Sequence, residues 1–403
     1  MLEAALRPIP VETAASAAGK MLPRITFLTN IIPPYHKPIL QRLSQKYPGF
    51  RVFLSTPMET NRPWPLEWEG LHVTVQKTLT IQRRWRHPKG FSEPLFVHIP
   101  LDTVQQLNRV QADLVISGEM GTRTILAAIY RHIHPRSRLI VWAEMAETTE
   151  HGRGWTRRVV RHFLHRAVDA FLVTGESGHR YLVSLGIPER KLFKIAYTTD
   201  IRRFASLPLL RPAGTRTLLY VGQLIERKGL IPFLRALARW AAAHSACDIQ
   251  WMLAGDGPLR RALEQFEVPR NLHLICLGNV DYQNLPGVYE ASSIFVLPSL
   301  ADSWAVVVNE AMAAGLPVLG SPYAQAVSEL VKEGTNGWYF RPENPDEIYG
   351  AIDRALMLPE HELNLMRKSA RDTALQLSPD VVTGMIDHAI VSTLQGGMAR
   401  VRA

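Results

Sequence analysis

The feature that most constrains this chain is a double series of short β-branched runs alternating with amphipathic stretches, interrupted once by a Pro/Gly-rich segment. The first series occupies residues 25–30, 50–55, 71–76, 112–118, 138–144 and 169–175, and the second occupies 217–224, 249–255, 272–277, 294–299 and 316–321. Continuous apolar runs of this length are strands covered on both faces, as in parallel sheets, whereas intervening stretches such as 38–47 and 157–167 carry helical periodicity. The pattern predicts an α/β fold of two Rossmann-like, doubly wound lobes facing each other across a cleft. Ligands then bind where loops leave the carboxyl ends of the strands. A length of 403 residues accommodates two such lobes at ~150 residues per domain. The expected organisation is an extension over 1–22, a first lobe over 23–206, a linker over 207–214, a second lobe over 215–380, and a helical tail over 381–403 that packs back on the first lobe.

Charge narrows the partners without choosing among them. With 46 Lys+Arg against 36 Asp+Glu, the net charge of +10 favours anions: phosphate esters, nucleic acid or an acidic membrane face. The two cysteines, Cys247 and Cys276, lie in apolar segments away from any Cys/His cluster, which argues against a disulfide scaffold or a zinc site. The first twenty residues lack the basic start and continuous apolar core of a secretory signal, and no later run approaches the ~18–20 apolar residues of a spanning helix. These features read as a cytoplasmic protein.

The chemistry concentrates between Phe295 and Glu329. A strand ends in Pro298-Ser299, Asp302 follows in the loop, and Glu310-Ala311-Met312-Ala313 precedes Gly315-Leu316-Pro317-Val318. An eight-residue separation is about two helical turns, so a carboxylate before a helix and one on its body can face a single crevice. Unpaired backbone N–H groups at the helix start, near Ser303, Trp304, Ala305 and Val306, suit a diphosphate. An isolated pair with this spacing is ordinarily a helix cap and a solvated helix residue; here the surrounding residues extend the pattern.

This stretch resembles the GT4 family of retaining glycosyltransferases, whose fold is GT-B. The resemblance implies a hexosyltransferase in which Asp302 contacts the donor hexose and Glu310 the ribose. A second segment, Tyr220 to Gly229, is similar to the family's Gly-Arg-x-x-x-x-Lys-Gly loop, whose cations hold the donor diphosphate. Lys228 matches the family lysine, while Gln223 stands where an arginine is usual. Arg227 either compensates or is a solvated loop residue. Gly222 and Gly255, the latter in the Gly-x-Gly-Pro turn 255–258, complete the expected donor site. Two departures mark this chain: the first acidic position is Asp rather than Glu, and the family's Gly-Phe-Gly is Ser303-Trp304-Ala305.

The resemblance is strong over about 216–350 and weak before it. In the first lobe Tyr35 and His36 follow the opening strand, and Glu144 and His151 follow the strand over 138–144. Either Glu144 or His151 can bind a hydroxyl of the transferred sugar or assist the acceptor. Basic residues gather at Arg83, Arg84, Arg86 and His87 around Trp85, and along 153–166. The readings are a solvated helix face, a surface for an acidic membrane and a lipid-linked acceptor, or nucleic acid; the sugar chemistry of the second lobe favours the membrane over nucleic acid.

The expected partners are therefore a UDP-, GDP- or ADP-sugar donor and a glycan, lipid-linked or small-molecule acceptor, with the protein cytoplasmic or peripheral on the inner face of the cell membrane. No cofactor is expected. No metal is expected either, since the chain contains no Asp-x-Asp and cationic side chains can carry the leaving group. A sugar-nucleotide epimerase on the same fold and a non-catalytic sugar- or nucleic-acid-binding protein are the rival readings.

Overall fold

The computed structural model describes residues 22–59, 64, 66–210 and 216–401; most of the expected N-terminal extension and residues 211–214 of the expected linker lie outside them. The first sheet contains β1 (Ile25–Thr29), β2 (Arg51–Leu54), β3 (Val73–Val75), β6 (Leu114–Gly118), β7 (Arg138–Ala143), β8 (Ala170–Thr174) and β9 (Leu192–Ile195). Between β3 and β6 stands a hairpin of β4 (Thr78–Arg86) and β5 (Ser92–Pro100). The second sheet contains β10 (Arg216–Val221), β11 (Ile249–Ala254), β12 (Leu272–Gly278), β13 (Ile294–Leu297), β14 (Val318–Gly320) and β15 (Gly337–Tyr339).

Both sheets are parallel throughout, ordered β3-β2-β1-β6-β7-β8-β9 and β12-β11-β10-β13-β14-β15. In each, strand order reverses beside the lobe's first strand, between β1 and β6 and between β10 and β13. Those reversals are where helices diverge to opposite faces and leave a crevice at the carboxyl ends. This is the two-lobed architecture expected from the alternation of runs. β8 is buried along its whole length, and β6 along all but its last residue, because helices cover both faces of the sheet.

The lobes do not divide where the Pro/Gly segment lies. Tyr197, Ile201 and Phe204 belong to the apolar core of the second lobe, so the chain crosses soon after β9 and before residue 207. The final helix, Pro379–Val401, returns to the first lobe: Ile386 and Ile390 are fully buried among Ile39, Leu40 and Leu43. The Tyr47 hydroxyl donates to Asp387 at 2.6 Å, and Arg42 pairs with Asp380 at the same distance. Among the described residues, no helix is long and apolar enough to cross a membrane.

Candidate active site

A cleft of about 1080 Å³ lies between the lobes, and both strand-order reversals open into it. From the second lobe it is lined by the loops after β10, β11, β12 and β13. Tight glycine packing shapes these loops. Gly255 sits at φ +147°, where an added Cβ would meet the Gly222 carbonyl oxygen at 1.9 Å; at Gly229, φ +66°, it would meet the Pro298 oxygen at 2.1 Å. A side chain at either place would force these loops apart.

Those loops converge the charged residues. Lys228 ends a short 3₁₀ turn, Glu226–Lys228, and its ammonium donates to the Asp302 carboxylate. Arg227 approaches the same carboxylate at 3.5 Å, donates to the Ala301 carbonyl oxygen at 2.9 Å, and pairs with Glu93 of the hairpin. Arg227 is therefore a cleft residue and not a solvated loop residue. Burial pushes the Lys228 ammonium below its ordinary pKa, with Asp302 opposing. At Arg227 burial acts in the same direction, but Asp302 and Glu93 prevail and hold the guanidinium above its usual value.

Glu310 lies on the helix Val307–Ala313 and is also buried. Its carboxyl accepts from the Tyr289 hydroxyl at 2.9 Å and from the Thr199 hydroxyl at 3.4 Å. Burial raises its pKa from 4.5 to about 7, outweighing the two hydroxyls and the smaller opposing influence of the Arg203 charge. The loop before this helix folds back over the core: Trp304 is buried, its indole N–H donates to Asn309 at 2.8 Å, and its ring stacks on Tyr197 at 5.8 Å. Ala305 adopts φ +77°, the left-handed backbone that a glycine at this position would adopt without a steric penalty. Ser303, Ala305 and Val306 line the cleft with Gly222, Gln223 and Gly255.

The first lobe contributes an aromatic stack. His36 lies between Trp142 and Tyr197, with ring centroids 5.0 Å and 5.7 Å away, and Tyr35 packs edge-on against it. The His36 Nε2 stands 2.9 Å from Glu144, which leaves β7 at its carboxyl end and lines the cleft. Burial alone would raise the Glu144 pKa; His36, followed by the Tyr197 hydroxyl, brings it below the ordinary value. His151 is exposed and is not part of the cleft wall, so of the two first-lobe candidates the structure brings only Glu144 to the site.

The basic stretch over 153–166 is not a uniform surface. Arg161 and His165 are buried, Arg153, Arg157 and Arg161 line the cleft, and Arg158 and Arg166 are exposed. In the other basic run, Arg83, Arg84 and Arg86 are exposed on β4, while Trp85 turns into the cleft beneath Arg153 at 4.4 Å. Sequence reasoning missed Glu93, Tyr197 and Thr199. Each reaches its site partner across more than a hundred residues, and no local spacing announces it.

The second lobe holds the first in place on one side of the cleft. Gln325 accepts from the Gly178 N–H at 3.1 Å and donates to the Met145 carbonyl oxygen at 3.3 Å, and Glu329 accepts from the Glu176 N–H at 2.5 Å. The hairpin also touches the second lobe, with the Lys89 ammonium 3.3 Å from the centre of the Tyr323 ring.

Residues 215–357 match the family model described as Glycosyl transferases group 1. An uncharacterized glycosyltransferase of Methanocaldococcus jannaschii is 32% identical over 143 residues, 35% of this chain and 36% of that protein. The alpha-D-kanosaminyltransferase of Streptomyces kanamyceticus is 25% identical over 211 residues, 50% of this chain and 54% of that one. This chain thus spans between about a third and about half the length of these relatives. Among solved structures, Anabaena HepE in complex with UDP and glucose superposes with a TM-score of 0.70 at 17% identity, covering 92% of this chain and 100% of that one. The sucrose-phosphate synthase of Thermosynechococcus elongatus gives 0.65 at 16%, covering 93% and 100%. The fold is accordingly GT-B, and the second lobe is similar to the group 1 glycosyl transferases over residues 215–357.

Proposed function

We propose that this protein is a glycosyltransferase that moves a hexose from a nucleoside-diphosphate sugar to an acceptor hydroxyl, with retention of configuration. One observation carries the reading: Lys228, Arg227, Asp302 and Glu310 converge on one interlobe cleft at the strand-order reversal of the second sheet. The relatives' names and the GT-B superposition support it.

In this reading Glu310 accepts hydrogen bonds from the ribose, Asp302 orients the hexose, and Lys228 and Arg227 take the diphosphate. The bond from the anomeric carbon to the β-phosphate oxygen breaks, and the acceptor oxygen forms the new bond to that carbon. The acceptor proton passes to an oxygen of the leaving diphosphate. The buried Lys228 and the half-buried Arg227 stabilise the charge that develops there, which is the contribution a divalent ion makes in metal-dependent transferases. Glu144, oriented by His36, holds a hydroxyl of the transferred sugar or of the acceptor on the opposite wall.

The acceptor is read as membrane-borne. The helix Trp155–Leu164 exposes Trp155, Val159 and Phe163 along one face, with Arg158 and Arg166 beside them. Apolar anchors flanked by cations suit an acidic lipid surface.

Calorimetric titration with UDP-, GDP- and ADP-glucose tests the donor assignment, beginning with UDP-glucose because HepE was also solved in complex with it. Binding of one donor, lost in Glu310→Ala, is expected; binding of none, or equal binding by the variant, rejects the assignment. Incubation of the bound donor without acceptor separates the rival chemistry, since an epimerase would interconvert the free nucleotide sugar.

A further inference from the structure

We propose that Arg153, Arg157 and Arg161 form a second anion subsite on the first-lobe wall of the cleft, which binds a phosphate group carried by the acceptor. The helix Trp155–Leu164 presents Arg157 and Arg161 one turn apart toward the cleft, and Arg153 enters from the preceding loop. Arg161 is 1% exposed; its Nη1 donates to Glu150 at 2.6 Å and to the Tyr181 hydroxyl at 2.7 Å. Among the described residues, its Nε and Nη2 have no hydrogen-bond partner. Arg157 is the more open of the pair, 3.5 Å from the same Glu150 oxygen.

Glu150 thus serves two guanidiniums at once. Glu119 acts on Arg157 only weakly and at longer range, and the Arg153 guanidinium lies over the Trp85 ring. Burial, and then repulsion from Arg161 and Arg153, hold Arg157 below its ordinary pKa in spite of Glu150. The opposite wall differs: there Asp302 and Glu93 already balance Lys228 and Arg227. The first-lobe cluster therefore keeps an excess of positive charge and unused planar donors in a water-poor wall. A phosphate offers the charge and oxygen geometry that guanidinium forks pair with bidentately. Its assignment to the acceptor rests on the transfer function proposed above, because the donor clamp lies on the other lobe; the anion site itself does not.

Inorganic phosphate titrated into wild type, Arg157→Ala, Arg153→Ala and Arg84→Ala, the last an exposed β4 arginine outside the cleft wall, tests the site, with thermal melts to confirm folding. Phosphate binding should weaken about tenfold or more in Arg157→Ala and Arg153→Ala, the cost of a lost charge-assisted bond, and change less than about twofold in Arg84→Ala. No change in Arg157→Ala and Arg153→Ala, or an equal loss in Arg84→Ala, would overturn the proposal, as would no binding by wild type. Failure of every nucleotide sugar to bind, with phosphate behaviour as expected, would remove the transferase reading and leave the anion site standing. Phosphatidylcholine vesicles with and without phosphatidic acid identify the phosphate's source. A lipid phosphate predicts capture by the acidic vesicles alone, reduced in Arg157→Ala and in Trp155→Ser. A soluble phosphate ester predicts no capture while Arg157 still governs phosphate binding.

Discussion

Replacing Glu310 by Gln should strengthen the fold at neutral pH and weaken donor binding together. The carboxyl is buried, and burial raises its pKa from 4.5 to about 7. The folded protein therefore holds this proton more tightly than the unfolded chain. Stability from this group is full below about pH 4.5 and is lost as pH rises through about 7; beyond that the buried carboxylate costs roughly 3 kcal/mol, at 1.36 kcal/mol per pKa unit. Gln is nearly isosteric and never ionises, so Glu310→Gln should match wild type at pH 4.5 and exceed it by roughly 3 kcal/mol at pH 8. Donor binding should move the other way. A hydrogen bond to a charged acceptor contributes about 1.5–3 kcal/mol, so its loss weakens the nucleotide by roughly ten- to a hundredfold. Urea unfolding at the two pH values reads the first effect and calorimetry with the identified donor reads the second. Parallel pH dependence in the two proteins would refute the burial argument, and undiminished nucleotide affinity would refute the ribose role.

Three further substitutions probe other parts of the structure. Asp302→Ala leaves Lys228 and Arg227 facing each other without their shared carboxylate, so the ligand-free protein should lose roughly 3 kcal/mol. Thermal melting should show that loss and its partial recovery with added pyrophosphate; an unchanged melting temperature would mean that the pairing contributes nothing. Ala305→Gly relieves a left-handed backbone, φ +77°, and should gain on the order of 1 kcal/mol in urea unfolding. Ile386→Ala opens a hole where the final helix meets the first lobe and should cost about 2–5 kcal/mol, whereas an undocked helix would show no effect.

The second-lobe motif was legible because its residues are close in sequence. Asp302 and Glu310 are joined by one loop and one helix, and Lys228 follows its strand by a few residues, so spacing alone nearly sets their geometry. The hairpin β4–β5 was not legible as strands. β4 is exposed over most of its length and carries Arg83, Arg84 and Arg86, so it lacks the apolar alternation that marks a half-buried strand. Its contribution, Glu93 on Arg227, bridges 134 residues. His151 stands outside the cleft wall although Glu150 and Arg153 on either side of it line that wall, and no sequence spacing tells which of these neighbours faces inward.

The sequence by itself determined two parallel α/β lobes and the acidic and cationic residues of the second, because strand periodicity and short motifs are local properties. Tertiary structure alone decided how those charges are balanced. Asp302 closes on Lys228 and Arg227, Glu310 is held by two hydroxyls with Arg203 the smallest opposing influence on its burial, and the basic stretch after Glu150 divides between an apolar outer face and a guanidinium cluster turned into the cleft. Charge balance and burial depend on which distant segments meet, and the interlobe packing sets those meetings.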